Sequence, residues 1–584
     1  MEEKHETDRH SMSSTSSQSI EERDGTTFSP IASPTAQQHA LNTMELHKTT
    51  SRTSRASTHL HPTLSLTDGY TISVRGEEED EEEEEEIEQR KEEGVPRAPD
   101  ASASELLVKW DENDPENPKN MSYVRKWLIA SVVCLGSVCV KAGQSTDRYR
   151  TCTSSVYTMI YAQVTEEFHC SKEVATLGLT TFIFGLGIGP MFLAPLSEFY
   201  GRRIIYVTSF TFYVIWMIPC AVAQNIETLI VVRFFGGLSG AAFLSVAGGT
   251  VGDLFNRNEL AAPMMAFTAA PFLGPQIGPL VGGFINQYTA WRWTFYTFLI
   301  WAGVQLVALF FFVPETYHPV LLKRKAMRLR EETGDQRYIA PIEKLDRSVA
   351  QTVIRSCYRP FQLLTLEPMV LCLCLYSAVL LGILYLFFGA FNLVFSEVYG
   401  FKLWQVGCSF LGISVGMMLA IATDPLWRKN YQRLERNHMA AVGEKGESMP
   451  EWRLPPAIAG APPVTIGIFI FAWTAYSHIH WIAPIIGTAV FGMGVILVYS
   501  GIFTFLVDAY PEFAASALAA NSFARSSFAG VFPLFGTYMY NRLGIHWASS
   551  LLGFLTFLML PLPYLFFTYG KELRKKSRFA TSRI

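Results

Sequence analysis

The chain has 584 residues, 49% of them hydrophobic, with a mean hydropathy of +0.19 and a formal net charge of −4. This excludes an ordinary soluble domain, because a polar first hundred residues dilute a remainder that must be strongly apolar. The nine cysteines fall mostly in apolar runs with neither zinc-binding nor disulfide spacing, which leaves them as small packing residues and gives no metal site.

Residues 1–109 come first, as a predicted disordered tail. Their first hundred are rich in Ser, Thr, His and Glu, with an unbroken acidic block at 77–86, and offer too little apolar surface to fold. The serine-rich stretches 11–19 and 51–57 read either as regulatory phosphorylation sites or as a merely solvated tail. No secretory signal is expected at the start.

From Trp127 onward, apolar segments of about 20 residues alternate with short polar connections, the length needed to cross a bilayer. Helices are then required, since lipid satisfies no open backbone group. After the first, the predicted spans are 174–196, 204–222, 229–251, 263–285, 293–313, 369–391, 403–423, 457–476, 481–507, 513–540 and 545–569. Residues 110–313 and 369–569 thus form two predicted six-helix bundles, joined by a polar central loop at 314–368 and followed by a basic tail at 570–584.

The first span is irregular. Trp127 to Val140 reaches only about 21 Å against a hydrocarbon core of about 30 Å, and Lys141 to Arg150 then carries four charges. Without those ten residues an uninterrupted helix would run from Trp127 to about Gln163. The segment reads as an insertion that breaks or bulges the helix, or alternatively as a charged gate.

Lys and Arg crowd the central loop, the connections holding Arg202, Arg203, Arg257 and Arg428 to Arg436, and the C-terminal tail. The opposite connections hold only Lys172, Arg292, Lys402 and Arg542. By the positive-inside rule both termini are expected in the cytoplasm, where the sequon at Asn120 would stay unused. The two halves share a faint repeat, Glu198 to Arg203 after the second span and Asp424 to Lys429 after the eighth, each with a carboxylate four residues before a basic pair.

Three motifs point to mechanism. In Leu196-Ser-Glu-Phe-Tyr-Gly-Arg-Arg203 a tight turn at Gly201 lets Glu198 pair with Arg202 or a neighbouring helix end, although basic anchoring alone is the plainer reading. Arg233 sits a few residues into the fourth span, ahead of Gly236, Gly237 and Gly240, and must either face a polar site or snorkel to the surface. In the fifth span Gly274, Gly278 and Gly282 share one face, while Pro275 and Pro279 weaken the backbone ladder and Gly283 completes a final glycine pair.

These three motifs resemble the signatures of the major facilitator superfamily, and the fifth-span sequence resembles the motif of its twelve-helix drug:proton antiporters. Arg359-Pro-Phe, Pro450-Glu-Trp-Arg-Leu-Pro-Pro456, Asp508-Ala-Tyr510 and the stretch 514–522 resemble the fungal polyamine and multidrug-resistance branch. The resemblance implies an all-α membrane protein with the major facilitator fold, two pseudo-symmetric six-helix bundles of about twelve transmembrane helices. It further implies a rocker-switch transporter whose cytoplasmic gate and proton coupling involve Glu198, Gly201, Arg202, Arg203, Arg233 and Asp253. Gly274, Gly278, Pro279, Gly282 and Gly283 would form the antiporter hinge. Two positions depart from the family pattern: Glu198 stands where Asp is usual, and Met265 where Gly is usual.

Substrate-cavity candidates are Ser154, Ser155 and Tyr157 in the first span, Asn392 in the seventh, and Asn521 and Arg525 in the eleventh, with interhelical hydrogen bonding as their alternative role. No phosphate-cradling loop, metal cluster or nucleophile constellation is present, so an enzyme is not expected, nor is a cofactor. The expected partners are a small-molecule substrate, protons and the lipid bilayer, with no nucleic acid, for a monomer in the plasma or vacuolar membrane. A nutrient symporter and a non-transporting sensor are the competing readings.

Overall fold

The computed structural model describes residues 106–580 except 112–113, 143–150, 153–157, 160–164, 257–258, 260, 289–291, 345–347 and 443–448. Among these, ten stretches are long and apolar enough to cross a membrane. One of them, 514–576, has 63 residues and turns at Gly544, whose φ of 74° lies in the left-handed region that glycine tolerates, so it makes two spans. With Ala261–Tyr288, which is helical along 28 residues, the count reaches twelve.

The spans in order are Tyr123–Ala142, Lys172–Tyr200 and Arg202–Ala221, then a fourth made of Ile226–Gly240, Ala242–Ser245 and Ala247–Leu254, then Ala261–Tyr288 and Arg292–Phe312. The second half runs Pro368–Phe391, a broken eighth made of Leu403–Ser409 and Leu411–Ala422, Pro455–Thr474, Ile482–Ala509, and the pair within Ala514–Met559. The second and fifth spans stay helical through Pro190 and Pro195, and through Pro271, Pro275 and Pro279. Prolines expected to weaken the ladder therefore do not interrupt it.

Small residues set the packing. The ninth and tenth spans meet backbone to backbone, Gly460 against Gly494 and Gly467 against Gly487; a Cβ on any of them would lie 2.4–2.7 Å from the nearest atom across the contact. In lipid, where apolar burial gives little drive, such close van der Waals contact is what holds helices together.

The first span ends at Ala142, and most of the charged segment that follows, 143–150, lies outside the described residues. Beyond it Thr151–Cys152 pairs antiparallel with Thr158–Met159, so the helix does not resume there.

Two predicted boundaries are corrected. The central connection is not a plain loop: it contains the helices His318–Thr333 and Val349–Leu366. Nor does the N-terminal tail extend to residue 109, because Leu106–Leu107 pairs in parallel with Tyr338–Ile339 and Val108 joins Leu322, Ala326 and Ala340 in a small satellite core. Lys325 Nζ reaches both Asp111 and Asp114 at 2.7 Å, and Arg328 holds Glu116 through two bonds of 2.7 and 2.9 Å. The Lys325 hydrogen bond holds the Asp114 carboxyl below its usual value, so this contact persists until the medium is distinctly acidic. The last turns are docked as well: Leu562–Lys576 is helical, and its Arg574 grips Glu451 through bonds of 2.8 and 2.9 Å.

Candidate functional site

The motif after the second span builds a buried charge network at the basic end of the first half. Gly201 begins the third span at φ 97° and supplies no side-chain cap, leaving the first amides of the helix open. Glu315, just past the sixth span, fills that place: Oε1 accepts from the Arg202 amide at 2.8 Å and Oε2 from the Arg203 amide at 3.2 Å. Its Oε1 also accepts from the amides of Thr316 and Tyr317, both at 3.0 Å. A carboxylate here complements the helix dipole. A Cβ at position 201 would sit 2.3 Å from Glu315 Oε2, so this site requires glycine for space as well as for φ.

The Arg202 side chain turns inward. Nε meets Asp253 Oδ2 at 3.3 Å, Nη1 donates to Ser197 Oγ at 2.7 Å, and the guanidinium lies 4.5 Å from the Tyr317 ring centroid. Glu198 is buried one turn before the glycine, and its charge adds to the field at Arg202. His318 Nε2 closes the cluster at 2.9 Å from the Asp253 carbonyl. Glu198, Gly201, Arg202 and Asp253 are thus brought together. Arg203 contributes only its backbone, since its side chain leaves for the Phe310 carbonyl at 2.9 Å. Glu315 was missed from the sequence, although a carboxylate after Pro314 at the end of an apolar span was a usable signal.

The second half carries the repeated string after its eighth span, and a counterpart of the buried ion pair elsewhere. Asp424 and Arg428 form a partly exposed i,i+4 pair on the helix Asp424–Val442. The pair that matches Arg202–Asp253 in position is Arg453–Asp508 at 2.6 Å, joining the start of the ninth span to the end of the tenth. Arg574–Glu451 then ties the end of the twelfth span to the same place, as Glu315 does in the first half. Each of these ion pairs closes within its own half.

Arg233 stands apart from this charge network. It lies 20 residues before Asp253 along the fourth span, toward the opposite end of the bundle. It is fully buried, which rules out snorkelling, and Nε donates to the Gly178 carbonyl of the second span at 2.7 Å. One turn on, a Cβ at Gly237 would meet the Phe182 carbonyl at 2.1 Å. The R-x-x-x-G spacing therefore lets two helices touch at the glycine and ties them at the arginine.

Gly274, Gly278, Pro279, Gly282 and Gly283 are all buried. The documented contact is with the eighth span: a Cβ at Gly283 would lie 3.0 Å from the Leu403 carbonyl, and one at Gly407 would lie 2.5 Å from the Pro279 carbonyl. Gly283→Leu is accordingly expected to cut transport at least tenfold, whereas Gly303→Leu, whose Cβ would meet nothing within 4 Å, should transport normally in a vesicle uptake assay. Equal tolerance of the two would remove any need for close approach at Gly283.

Of the cavity candidates, Ser154, Ser155 and Tyr157 lie outside the described residues. Asn392 Nδ2 bonds the Phe388 carbonyl of its own helix at 3.1 Å. Asn521 Nδ2 bonds Ser377 Oγ across to the seventh span at 2.6 Å, the interhelical role, while its Oδ1 is buried without a hydrogen-bond partner. Arg525, one turn further, lies 4.8 Å from the Phe503 ring, 5.4 Å from Tyr499 and 6.0 Å from Phe272, and forms no hydrogen bond or ion pair with the described residues. Insertion of an arginine at mid-helix costs at least about 2.5 kcal/mol, of which cation–π contact offsets about 0.5–2 kcal/mol.

The sequence profile of the Major Facilitator Superfamily matches residues 150–533. The chain is 56% identical over 486 residues to the efflux pump atB of Aspergillus terreus, covering 83% of this chain and 92% of that protein. To the probable drug/proton antiporter YHK8 of Saccharomyces cerevisiae it is 41% identical over 521 residues, covering 88% and 97%. The crystal structure of a D-xylose-proton symporter superposes with a TM-score of 0.51 at 16% identity over 79% of this chain and 99% of that one, a likeness of fold alone.

Proposed function

Because the chain belongs to the major facilitator superfamily, and so is a multi-pass membrane transporter, we propose that it exports small organic molecules in exchange for protons. The observation that carries this reading is the extended likeness, across both halves, to an efflux pump and a drug/proton antiporter.

The geometry supports alternating access by two stiff halves. Arg202–Asp253 with Glu315 braces the basic end of the first half, and Arg453–Asp508 with Arg574–Glu451 braces that of the second. Between the halves run helix-to-helix contacts, such as Thr180 Oγ1 to the Gly530 carbonyl at 2.8 Å and Pro279 against Gly407. Rocking then breaks few bonds, and the substrate site falls between the repeats. The buried carboxylates at the basic end are the groups that exchange protons as that end opens to water. The excess of Lys and Arg there supports a cytoplasmic position for that end and both termini.

The test is efflux of a compound panel from cells lacking their own exporters, with and without a proton uncoupler. Expression of the chain should lower accumulation of at least one compound several-fold, and the uncoupler should abolish the difference. Retained efflux after uncoupling would overturn proton coupling, and faster accumulation on expression would make the chain an importer.

A further inference from the structure

Resting on that export reading, we propose that the transported compounds are organic anions, aromatic carboxylates above all, held with their carboxylate on Arg525. Counting along the helices, Arg525 lies eleven residues into the eleventh span and Phe272 eleven residues into the fifth, about 16 Å from the basic end in each case. Tyr499 and Phe503 approach from the tenth span. The group is therefore at mid-membrane and is shared by the two halves, Phe272 from the first and the other three from the second.

Among the described residues the cation has no counter-charge. The fifth, seventh, tenth and eleventh spans hold no Asp or Glu between their ends, and Arg525 forms no ion pair or hydrogen bond with the described residues. Its buried Nε has no acceptor. A guanidinium presents a planar fork of N–H donors that a carboxylate matches with two parallel bonds. Beside it the rings form a continuous face: Phe272 stacks on Tyr499 at 4.9 Å and Tyr499 on Phe503 at 5.6 Å.

Further polar atoms in these helices await partners. Asn521 Oδ1, one turn before Arg525, and both amide atoms of Gln276, one turn after Phe272, are buried without hydrogen bonds. Such unmet donors and acceptors fit a ligand with polar substituents on its ring. A fixed positive charge at mid-membrane, unneutralised by any of the described residues, also disfavours polyamines and other cations. When the halves rock and Phe272 withdraws from Tyr499, a bound carboxylate keeps the guanidinium paired.

Purified full-length protein titrated at neutral pH with 1-naphthoate and with 1-naphthamide, which share ring and size, tests this by tryptophan fluorescence and melting temperature. Naphthoate should bind at least tenfold more tightly than the amide. R525Q should erase the preference and R525K retain part of it, with the melting temperature of each unliganded variant showing that it is folded. Equal binding of acid and amide, or an undiminished preference in folded R525Q, overturns the proposal. Efflux from whole cells separates it from the export reading. Naphthoate that binds through Arg525 but is never expelled refutes export and leaves anion recognition standing. Amide expelled as fast as acid, equally by wild type and R525Q, refutes anion recognition and leaves export standing.

Discussion

Alanine in place of Arg202 is expected to abolish efflux and to lower the melting temperature of the purified protein. The guanidinium and its partner Asp253 are each only 4% exposed, at 3.3 Å from one another. Removing one member of a buried pair strands the other, at a cost of about 3–5 kcal/mol. Arg202→Ala combined with Asp253→Asn takes the stranded charge away as well, so the melting temperature should recover in part. Efflux should not recover, because the charged link between the third and fourth spans is still missing. An Arg202→Ala variant that melts with the wild type would show that this pair does not brace the first half.

Arg233→Ala should also lose efflux, with the protein still reaching the membrane in normal amount. The bond from Nε to the Gly178 carbonyl is one of the polar ties between the second and fourth spans, and the side chain around it is fully buried. Its loss leaves the close helix contact at Gly237, where a Cβ would not fit, without this tie. Lysine should restore transport only partly, since an ammonium keeps the charge but lacks the planar fork. The comparison is of efflux rate normalised to protein in the membrane fraction, and a wild-type rate from the alanine variant would dispose of the tie.

Both experiments concern residues that the sequence singled out, but their partners were a different matter. Gly201, Arg202 and Arg233 stand out by local rules: glycine at a tight turn, and a charge where lipid makes charge costly. Their partners do not. Asp253 lies 51 residues from Arg202 and Glu315 lies 113 away, and no spacing rule reaches across two to four helices. The second half shows the same limit. The matching string after the eighth span marks Asp424 and Arg428, but the pair equivalent in space to Arg202–Asp253 is Arg453–Asp508, whose residues belong to different spans and share no string.

Sequence by itself determined the spans after the first, the division into halves and the family, because bilayer thickness and backbone satisfaction act on one helix at a time and leave their mark in every 20-residue window. Only the tertiary structure decided that the central connection folds as helices, the first of them against residues 106–111 and 114–116, that Arg233 lies away from the Arg202–Asp253 network, and that Arg525 has rings but, among the described residues, no carboxylate beside it. Those outcomes depend on which faces of distant helices meet, and a face is chosen by glycine contacts and charge pairs summed over the whole bundle.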